Sequence, residues 1–315
     1  MFFFFVAWPF EVSSKDLCGG QRIEIEMSPY WEPFFYVNSP DIPDGRVRFL
    51  FDSAANYNAI DITSIPTQKT KLAGSISIES NPMLFGEKPS FSISKIYSKE
   101  GSKAVNGVLG MSNFIDKSVE MDFYNGEESL YISASSCSEK ITQDSKMMPI
   151  SQKSFYGRSE ATPSSKAYSD LNLPVAFIMA GGVFAPALID TGYRNDPGGS
   201  MYIKVNKKLY DLMKQSGISV IDEEKLPNYD CKGNLYYLST FHLSVDELEI
   251  VDEKKRVIRS YPSSKIKFVA AEENTCSKFG ELSKPMALLD SSFVGSWGRV
   301  VVDGLAQTVW IKSDR

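Results

Sequence analysis

The chain has 315 residues, of which 43% are hydrophobic and 23% charged, so it is expected to fold and is long enough for two domains of ordinary size. Its formal net charge is -5 at pH 7 and it has no long basic run, which argues against nucleic acid as a partner. The single histidine, His242, lies in a strand-like stretch, and this count excludes most metal sites and Ser-His chemistry. We therefore expect no metal and no other cofactor.

Residues 1–10 are almost entirely apolar, but a membrane-spanning helix needs about 20 such residues. We therefore expect no membrane span. Two interpretations of this segment stay open. It is either the remnant of a secretory signal, with residues 12–14 as a weak cleavage-like stretch, or the first β-strand of the folded protein.

The next informative segment predicts a strand pair that ends in an aspartate. Residues 33–37 are apolar and aromatic, a turn follows, and residues 46–54 form a second apolar stretch that ends in Asp52-Ser53-Ala54. Short runs of this kind, bounded by Gly, Pro, Asn and Asp, are typical of strands and tight turns. We predict a hairpin whose second strand delivers Asp52 into a turn.

Further strands are predicted later in the first half. Residues 108–115, which include Leu109 and Gly110, lead into residues 119–123, a turn, and residues 130–132. These last two stretches predict a hairpin that closes the first half of the chain, which we expect to fold as one lobe. After them, residues 138–170 are rich in Ser, Lys, Gln and Pro, a composition that favours an exposed connection.

The second half repeats these elements in the same order. Residues 174–179, a Gly181-Gly182 turn and residues 185–192 predict a hairpin that ends in Asp190-Thr191-Gly192. Three later stretches match the strands predicted after Asp52 in the first half. They are residues 287–294, 300–304 and 309–311. One short helix is predicted at residues 207–215, ending at Gly217. Such a repeat predicts a duplicated unit.

The predicted fold is therefore all-β, with two similar lobes. The predicted domains are an N-terminal lobe at residues 1–140, a connecting segment at 141–170 and a C-terminal lobe at 171–315. The repeat alone establishes architecture only, because tandem β-domains duplicated for strength or binding give the same pattern without chemistry.

The cysteines divide evenly between the halves. Cys18 and Cys137 flank the first half, and Cys231 and Cys276 lie in the second, so one disulfide per half is the economical pairing. Four cysteines allow three connectivities, and four reduced thiols remain an alternative. Disulfides would indicate a secreted, periplasmic or other oxidising location.

The two aspartate segments resemble a known signature. Residues 187–192 and 49–54 are similar to the hydrophobic-hydrophobic-Asp-Thr/Ser-Gly motif of aspartic peptidases, and residues 107–111 with Phe114 resemble the later hydrophobic-Gly motif of the retropepsin-like branch. Two copies in one chain resemble the pepsin-like arrangement. The resemblance implies an all-β fold of the acid-protease type, with two similar β-barrel-like lobes and a cleft between them. It also implies an endopeptidase activity and an extended peptide or protein as substrate, with a monomer favoured.

The resemblance also assigns roles to residues of this chain. It implies Asp52 and Asp190 as the catalytic pair, and residues 72–86 as the candidate flap, with a turn near Asn81-Pro82. An ordinary core hairpin is the alternative for residues 72–86. Two further sets of residues follow from the motifs. They are the supporting turn residues Ser53, Ala54, Thr191 and Gly192, and the late-motif residues Leu109, Gly110, Leu289 and Asp290.

The chemistry of such a site requires paired carboxylates. Two carboxyl groups about 3 Å apart cannot both ionise, so they share one proton, and one acts as base while the other acts as acid on a water molecule held between them. Each lobe must supply one aspartate. The hydroxyls of Ser53 and Thr191 would lock the two turns together, and a small residue after each would admit backbone N–H groups to the carboxylates.

Three positions depart from the motif. Ala54 replaces a glycine, Leu289 or Asp290 falls where the second late-motif glycine belongs, and Tyr193 follows Gly192 where a small or hydroxyl residue is usual. Such losses favour an alternative function, a catalytically inactive pepsin-like module that binds peptide or protein. A third interpretation is a tandem β-sandwich adhesin or envelope protein with coincidental motifs. Contact between the two carboxyl groups would separate the first interpretation from the others.

Overall fold

The structure of the chain is a computed structural model. It describes residues 16–29, 31–40, 45–55, 58–61, 64, 78, 81–85, 91–93, 105–123, 128–144, 146–151, 155–156, 173–192, 200–229, 235–271, 279, 282 and 284–313.

Short strands dominate the first half of the chain. They are β1 (Gln21–Glu24), β2 (Glu26–Met27), β3 (Pro33–Asn38), β4 (Arg46–Asp52), β5 (Ala59–Ile60), β6 (Ser92–Ile93), β7 (Gly107–Gly110), β8 (Ser118–Asp122), β9 (Ser129–Ser133), β10 (Met147–Ser151) and β11 (Phe155–Tyr156).

The second half has somewhat longer strands. They are β12 (Leu173–Ala180), β13 (Val183–Ile189), β14 (Met201–Val205), β15 (Val220–Tyr229), β16 (Leu235–Leu243), β17 (Glu247–Val251), β18 (Val257–Pro262), β19 (Ile266–Ala270), β20 (Ala287–Leu289), β21 (Arg299–Asp303) and β22 (Thr308–Lys312).

The α-helices are short, and 3-10 turns lie at Met111–Phe114 and Ser263–Lys265. The helices are α1 (Pro82–Phe85), α2 (Ser138–Ile141), α3 (Lys207–Gln215) and α4 (Ser291–Trp297). Helix α3 covers the residues predicted to be helical. Its N-cap is Asn206, whose side chain accepts a hydrogen bond from the Leu209 N–H, and Gly217 follows the helix with a φ of 78°. Within the described ranges, no helix is long and apolar enough to cross a membrane.

The same arrangement of strands occurs in both halves. In the N-terminal lobe, β3 and β4 form an antiparallel hairpin, β7 runs parallel to β4 and antiparallel to β5, and β6 runs parallel to β5. In the C-terminal lobe, β12, β13, β20, β14 and β19 make the same contacts in the same directions. The prediction of an all-β fold with two similar lobes is therefore confirmed.

Strand register relates the two aspartates. Asp52 lies opposite Gly110 at the end of the β4–β7 pair. In the C-terminal lobe the β13–β20 pair ends with Ile189 opposite Leu289, and Asp190 follows it directly. Asp52 and Asp190 are thus equivalent positions of the repeated unit.

The two lobes share a third sheet. The predicted closing hairpins are β8–β9 and β21–β22, and both lie in one six-stranded sheet of order β1-β9-β8-β21-β22-β10. Antiparallel pairing of β8 with β21 joins the lobes, with Met121 opposite Val300. Since both side chains are fully buried, this seam is part of the core and fixes one lobe against the other.

The predicted domain boundaries at 140 and 171 stay a prediction, because much of residues 141–170 lies outside the described ranges. The described part of this segment includes strands. Strand β10 pairs with β22 in the shared sheet, and β11 pairs with β12 of the C-terminal lobe.

A disulfide joins Cys18 to Cys137, whose Cα atoms are 4.9 Å apart. It packs with Ile141, Met147 and Trp310 in a small buried cluster beside the shared sheet. The disulfide therefore ties the start of the described chain to the end of the first half.

Several sequence predictions concern residues outside the described ranges. These are the N-terminal apolar segment, the pairing of Cys231 with Cys276, the role of Tyr193, and most of the candidate flap. The described part of the candidate flap includes the short helix α1, which begins where a turn near Asn81-Pro82 was predicted.

Candidate active site

Asp52 and Asp190 meet at the junction of the two lobes. Asp52 is the last residue of β4, and Asp190 directly follows β13. Their side chains share a hydrogen bond. Both strands approach the junction through buried apolar residues, since Phe51 and Ile189 are fully buried. The structure thus brings the two predicted carboxyl groups into contact.

Ser53 and Thr191 link the two turns by reciprocal hydrogen bonds. The Ser53 N–H donates to Thr191 Oγ1 and the Thr191 N–H donates to Ser53 Oγ, both at 3.0 Å. Each hydroxyl then donates to a carbonyl of the other lobe, Ser53 Oγ to Ile189 O at 2.6 Å and Thr191 Oγ1 to Phe51 O at 2.7 Å. Because all four bonds are buried, they hold the aspartates at a fixed separation.

Backbone donors stabilise the two carboxylates unequally. Asp52 Oδ1 accepts the N–H groups of Ala54 at 2.9 Å and Ala55 at 3.0 Å. Asp190 Oδ1 accepts the Gly192 N–H at 2.9 Å. Hydrogen bonds to an ionised carboxylate favour its charged form, so the negative charge of the pair is better stabilised on Asp52.

The two small residues of the turns are under different constraints. A Cβ atom on Gly192 would lie 2.6 Å from Asp52 Cγ, which leaves no room for a side chain there. At Ala54 the question is whether the backbone conformation requires a glycine, and it does not. Among the described residues, the non-glycines with positive φ are Trp31, Lys255 and Gln307, so Ala54 lies outside the left-handed region.

Burial and mutual repulsion raise the proton affinity of the pair. Burial raises the pKa of Asp190 well above its usual range, and the neighbouring charge of Asp52 raises it further. Burial also raises the pKa of Asp52, but its backbone donors and its hydrogen bond with Asp190 oppose this. These effects favour a pair that holds one proton, with its negative charge better stabilised on Asp52 than on Asp190.

The late-motif residues lie beneath the aspartates. Leu109 and Leu289 are fully buried, opposite Phe51 and Ile189 respectively. Gly110 lies opposite Asp52, and its N–H donates to Asn58 Oδ1 at 3.1 Å.

Asp290 takes the position in the C-terminal lobe that Gly110 takes in the N-terminal lobe. This settles which residue stands where a second late-motif glycine was expected. Asp290 is buried and accepts hydrogen bonds from the Tyr202 N–H at 3.2 Å and the Ser292 hydroxyl. Burial raises its pKa to about 7.

Lys204 is a residue of this region that the sequence motifs did not identify. It lies on β14, is 6% exposed, and interacts electrostatically with Asp190. One signal could have revealed it: Lys204 is the only charged residue in the strand Met201–Val205, whose other side chains are apolar or aromatic. A charged residue in such a strand requires a nearby charge of opposite sign.

Comparison with known proteins finds similarity to solved structures and no match by sequence. No protein-family model matches the chain, and no curated protein matches it. A solved structure, the aspartic proteinase from Irpex lacteus, is similar with a TM-score of 0.47 and 10% sequence identity, over 93% of this chain and 97% of that chain. The roles of the site residues therefore rest on their own contacts in this chain.

Proposed function

We propose that the chain is an aspartic-type endopeptidase that hydrolyses peptide bonds with a water molecule activated between Asp52 and Asp190. The contact between these two carboxyl groups, of which Asp190 is buried and Asp52 half-buried, carries the proposal. A desolvated carboxyl pair that shares one proton lowers the free energy of unfolding, because each group loses hydration and repels the other. Such a pair offers an acid and a base side by side, as general acid-base hydrolysis requires.

The unequal hydrogen bonding assigns the two roles. Asp52, which bears the charge, takes a proton from the water molecule while the oxygen of that water attacks the peptide carbonyl carbon. Asp190 gives its proton to the carbonyl oxygen, which yields a neutral tetrahedral diol. When the C–N bond breaks, the nitrogen takes the proton from Asp52, and a hydroxyl of the diol returns a proton to Asp190. Both carboxyls then regain their starting states.

The substrate in this proposal is an extended peptide that crosses the lobe junction. Leu50 and Leu188 each lie two residues before a catalytic aspartate, and thus on the same strand face as its carboxyl. Their cross-strand partners are Val108 and Leu288, and all four residues are buried or half-buried beside the pair. One chain supplies both aspartates, so a monomer suffices.

The proposed location is an oxidising compartment: outside the cell, in a periplasm or in another compartment of this kind. The Cys18–Cys137 disulfide supports it, because such bonds persist where thiols are not kept reduced.

The test is cleavage of a diverse peptide library by the purified, oxidised chain between about pH 3 and 7, analysed by mass spectrometry. We expect cleavage of members of the library, and inhibition by a statine-containing peptide, whose hydroxyl replaces the attacked water. A folded protein with its disulfide intact that cleaves nothing would contradict the proposal. Binding of the statine peptide without any cleavage would leave the inactive peptide-binding module in its place.

A further inference from the structure

Lys204 is a buried lysine on the C-terminal lobe. Its strand β14 lies between β19 and β20, and its side chain is 6% exposed. Burying an ammonium group costs free energy unless an opposite charge lies nearby. The residue therefore requires an anionic neighbour.

The strand ladder directs Lys204 toward Asp190. Lys204 lies opposite Leu288 on β20, and Leu288 lies opposite Leu188 on β13. Residues that lie opposite each other point to the same face of a sheet, and so do residues two apart along a strand. Asp190 is two residues beyond Leu188, and its N–H continues the ladder by donating to Leu289 O. The Lys204 ammonium and the Asp190 carboxyl thus lie on one face.

The interaction acts on both groups. The charge of Lys204 lowers the pKa of Asp190, against the larger effect of burial. Burial lowers the pKa of Lys204 to about 8, and the charge of Asp190 opposes that effect. Lys204 is therefore a cation over the acidic and neutral range.

The N-terminal lobe has no cation at the matching position. Val108 lies opposite both Leu50 and Ala59, just as Leu288 lies opposite both Leu188 and Lys204. Ala59 is therefore the counterpart of Lys204. At this matched position, the C-terminal lobe has a charged side chain and the N-terminal lobe has a methyl group.

Other charged groups near Lys204 are few among the described residues. Strand β20 and helix α4 have none, and Asp290 between them is held by Tyr202 and Ser292. On β19, the residue opposite Lys204 is Val269. Two residues before it, Lys267 forms an ion pair with Glu224 of β15 at 2.8 Å. Strand β16 adds Thr240 and, farther along, His242. Helix α3 packs through its apolar side chains on the opposite face.

We propose that Lys204 is a positioning residue whose ammonium favours loss of a proton from the Asp52–Asp190 pair and so sets the pH range in which the pair holds one proton. The effect on hydrolysis rests on the proposed function. The effect on the carboxyl groups does not, since it follows from the charges alone.

The first experiment follows the aspartate carboxyl carbons by 13C NMR during a pH titration of the wild type and of Lys204→Met. Methionine keeps the length of the side chain and removes its charge. We expect both titration steps of the pair to move to higher pH, by roughly half a unit to one unit. Lys267→Met, which removes a lysine of the next strand, is the control and should leave both steps in place. Unchanged steps in Lys204→Met would overturn the proposal.

The second measurement is the pH profile of kcat/KM for peptide cleavage. In Lys204→Met both limbs should move to higher pH, so that activity falls about three- to tenfold at a fixed pH on the acid limb and rises on the alkaline limb. A purely structural defect would scale the whole profile without moving it, and that result would contradict the proposal. If the wild type cleaves nothing but the NMR steps still move, the peptidase proposal fails while the role of Lys204 stands.

A reciprocal measurement covers the case in which Lys204→Met does not fold. The Lys204 side chain is followed by NMR in the wild type and in Asp190→Asn. Because Asp190 raises the proton affinity of Lys204, its titration midpoint should fall in the variant. An unchanged midpoint would overturn the proposal.

Discussion

Gly192 leaves the space that the carboxyl group of Asp52 occupies: a Cβ atom at residue 192 would lie 2.6 Å from Asp52 Cγ and 2.7 Å from Oδ2. Real Cβ atoms do not approach other atoms so closely. We therefore expect Gly192→Ala to displace the Asp52 carboxyl and to reduce kcat of peptide hydrolysis at least a hundredfold, because a misplacement of about 1 Å costs on that order. Steady-state kinetics at the pH optimum measures this effect.

Ala54→Gly is the matched variant in the other turn. Ala54 already has an ordinary φ, so a glycine there relieves no strain and should change kcat by less than about threefold. A gain of tenfold or more in Ala54→Gly would show instead that the Cβ of Ala54 distorts the site.

The hydroxyl of Thr191 should be needed for stability as well as for the site. Thr191→Val keeps the shape of the side chain but leaves the Ser53 N–H and the Phe51 carbonyl without their partner. Each buried group left unpaired costs about 1–3 kcal/mol of unfolding free energy. Urea denaturation should show this loss, whereas Thr191→Ser, which keeps the hydroxyl, should retain most of the stability. Equal stability of both variants would contradict the role of the hydroxyl.

Two buried carboxyl groups should make the protein more stable in acid than at neutral pH. Burial raises the pKa of Glu120, on the shared sheet, to about 7, and raises that of Asp290 to about 7. Unfolded, these groups titrate near pH 4. The folded state therefore binds more protons between about pH 4 and 7, so the unfolding free energy falls as pH rises through this window, by on the order of 3 kcal/mol for each group.

Denaturant titrations at pH 4, 5.5 and 7 measure this slope. Glu120→Gln removes one of the titrating groups and should flatten it, while Glu247→Gln, at an exposed position of β17, should leave it unchanged. A stability that rises from pH 4 to pH 7 in the wild type would be inconsistent with buried, neutral carboxyls at these positions.

Loss of the Cys18–Cys137 disulfide should destabilise the protein. The bond spans 119 residues of sequence, and removing a link of this kind costs typically about 2–4 kcal/mol. Replacement of both cysteines by alanine should therefore lower the melting temperature by several degrees, and reduction of the wild type should have the same effect. If neither treatment changes the melting temperature, the cysteines are not paired in solution.

Local patterns in the sequence predict the elements that carry the aspartates. The hairpins that end at Asp52 and Asp190 and the helix over residues 207–215 are each encoded within about twenty residues, by apolar runs and turn residues. The equivalence of the two halves follows from their order along the chain.

Features that depend on contacts between distant segments could not be predicted in this way. Pairing of β8 with β21 joins residues about 180 positions apart, and nothing local in either strand specifies the other. The position of Asp290 opposite the glycine of the first lobe depends on strand register. The proximity of Lys204 to Asp190 depends on three strands meeting in one sheet, so its role is visible only in the folded chain.

The central claim is that Asp52 and Asp190 act as one unit, and the most direct test is peptide hydrolysis by Asp52→Asn and Asp190→Asn at the pH optimum of the wild type. Each asparagine retains the shape of the turn but cannot share or transfer the proton, so both variants should lose at least a thousandfold in kcat. Their melting temperatures should be equal to or above that of the wild type, because the desolvated, repelling carboxyl pair is gone. Substantial hydrolysis by either folded variant would contradict the claim.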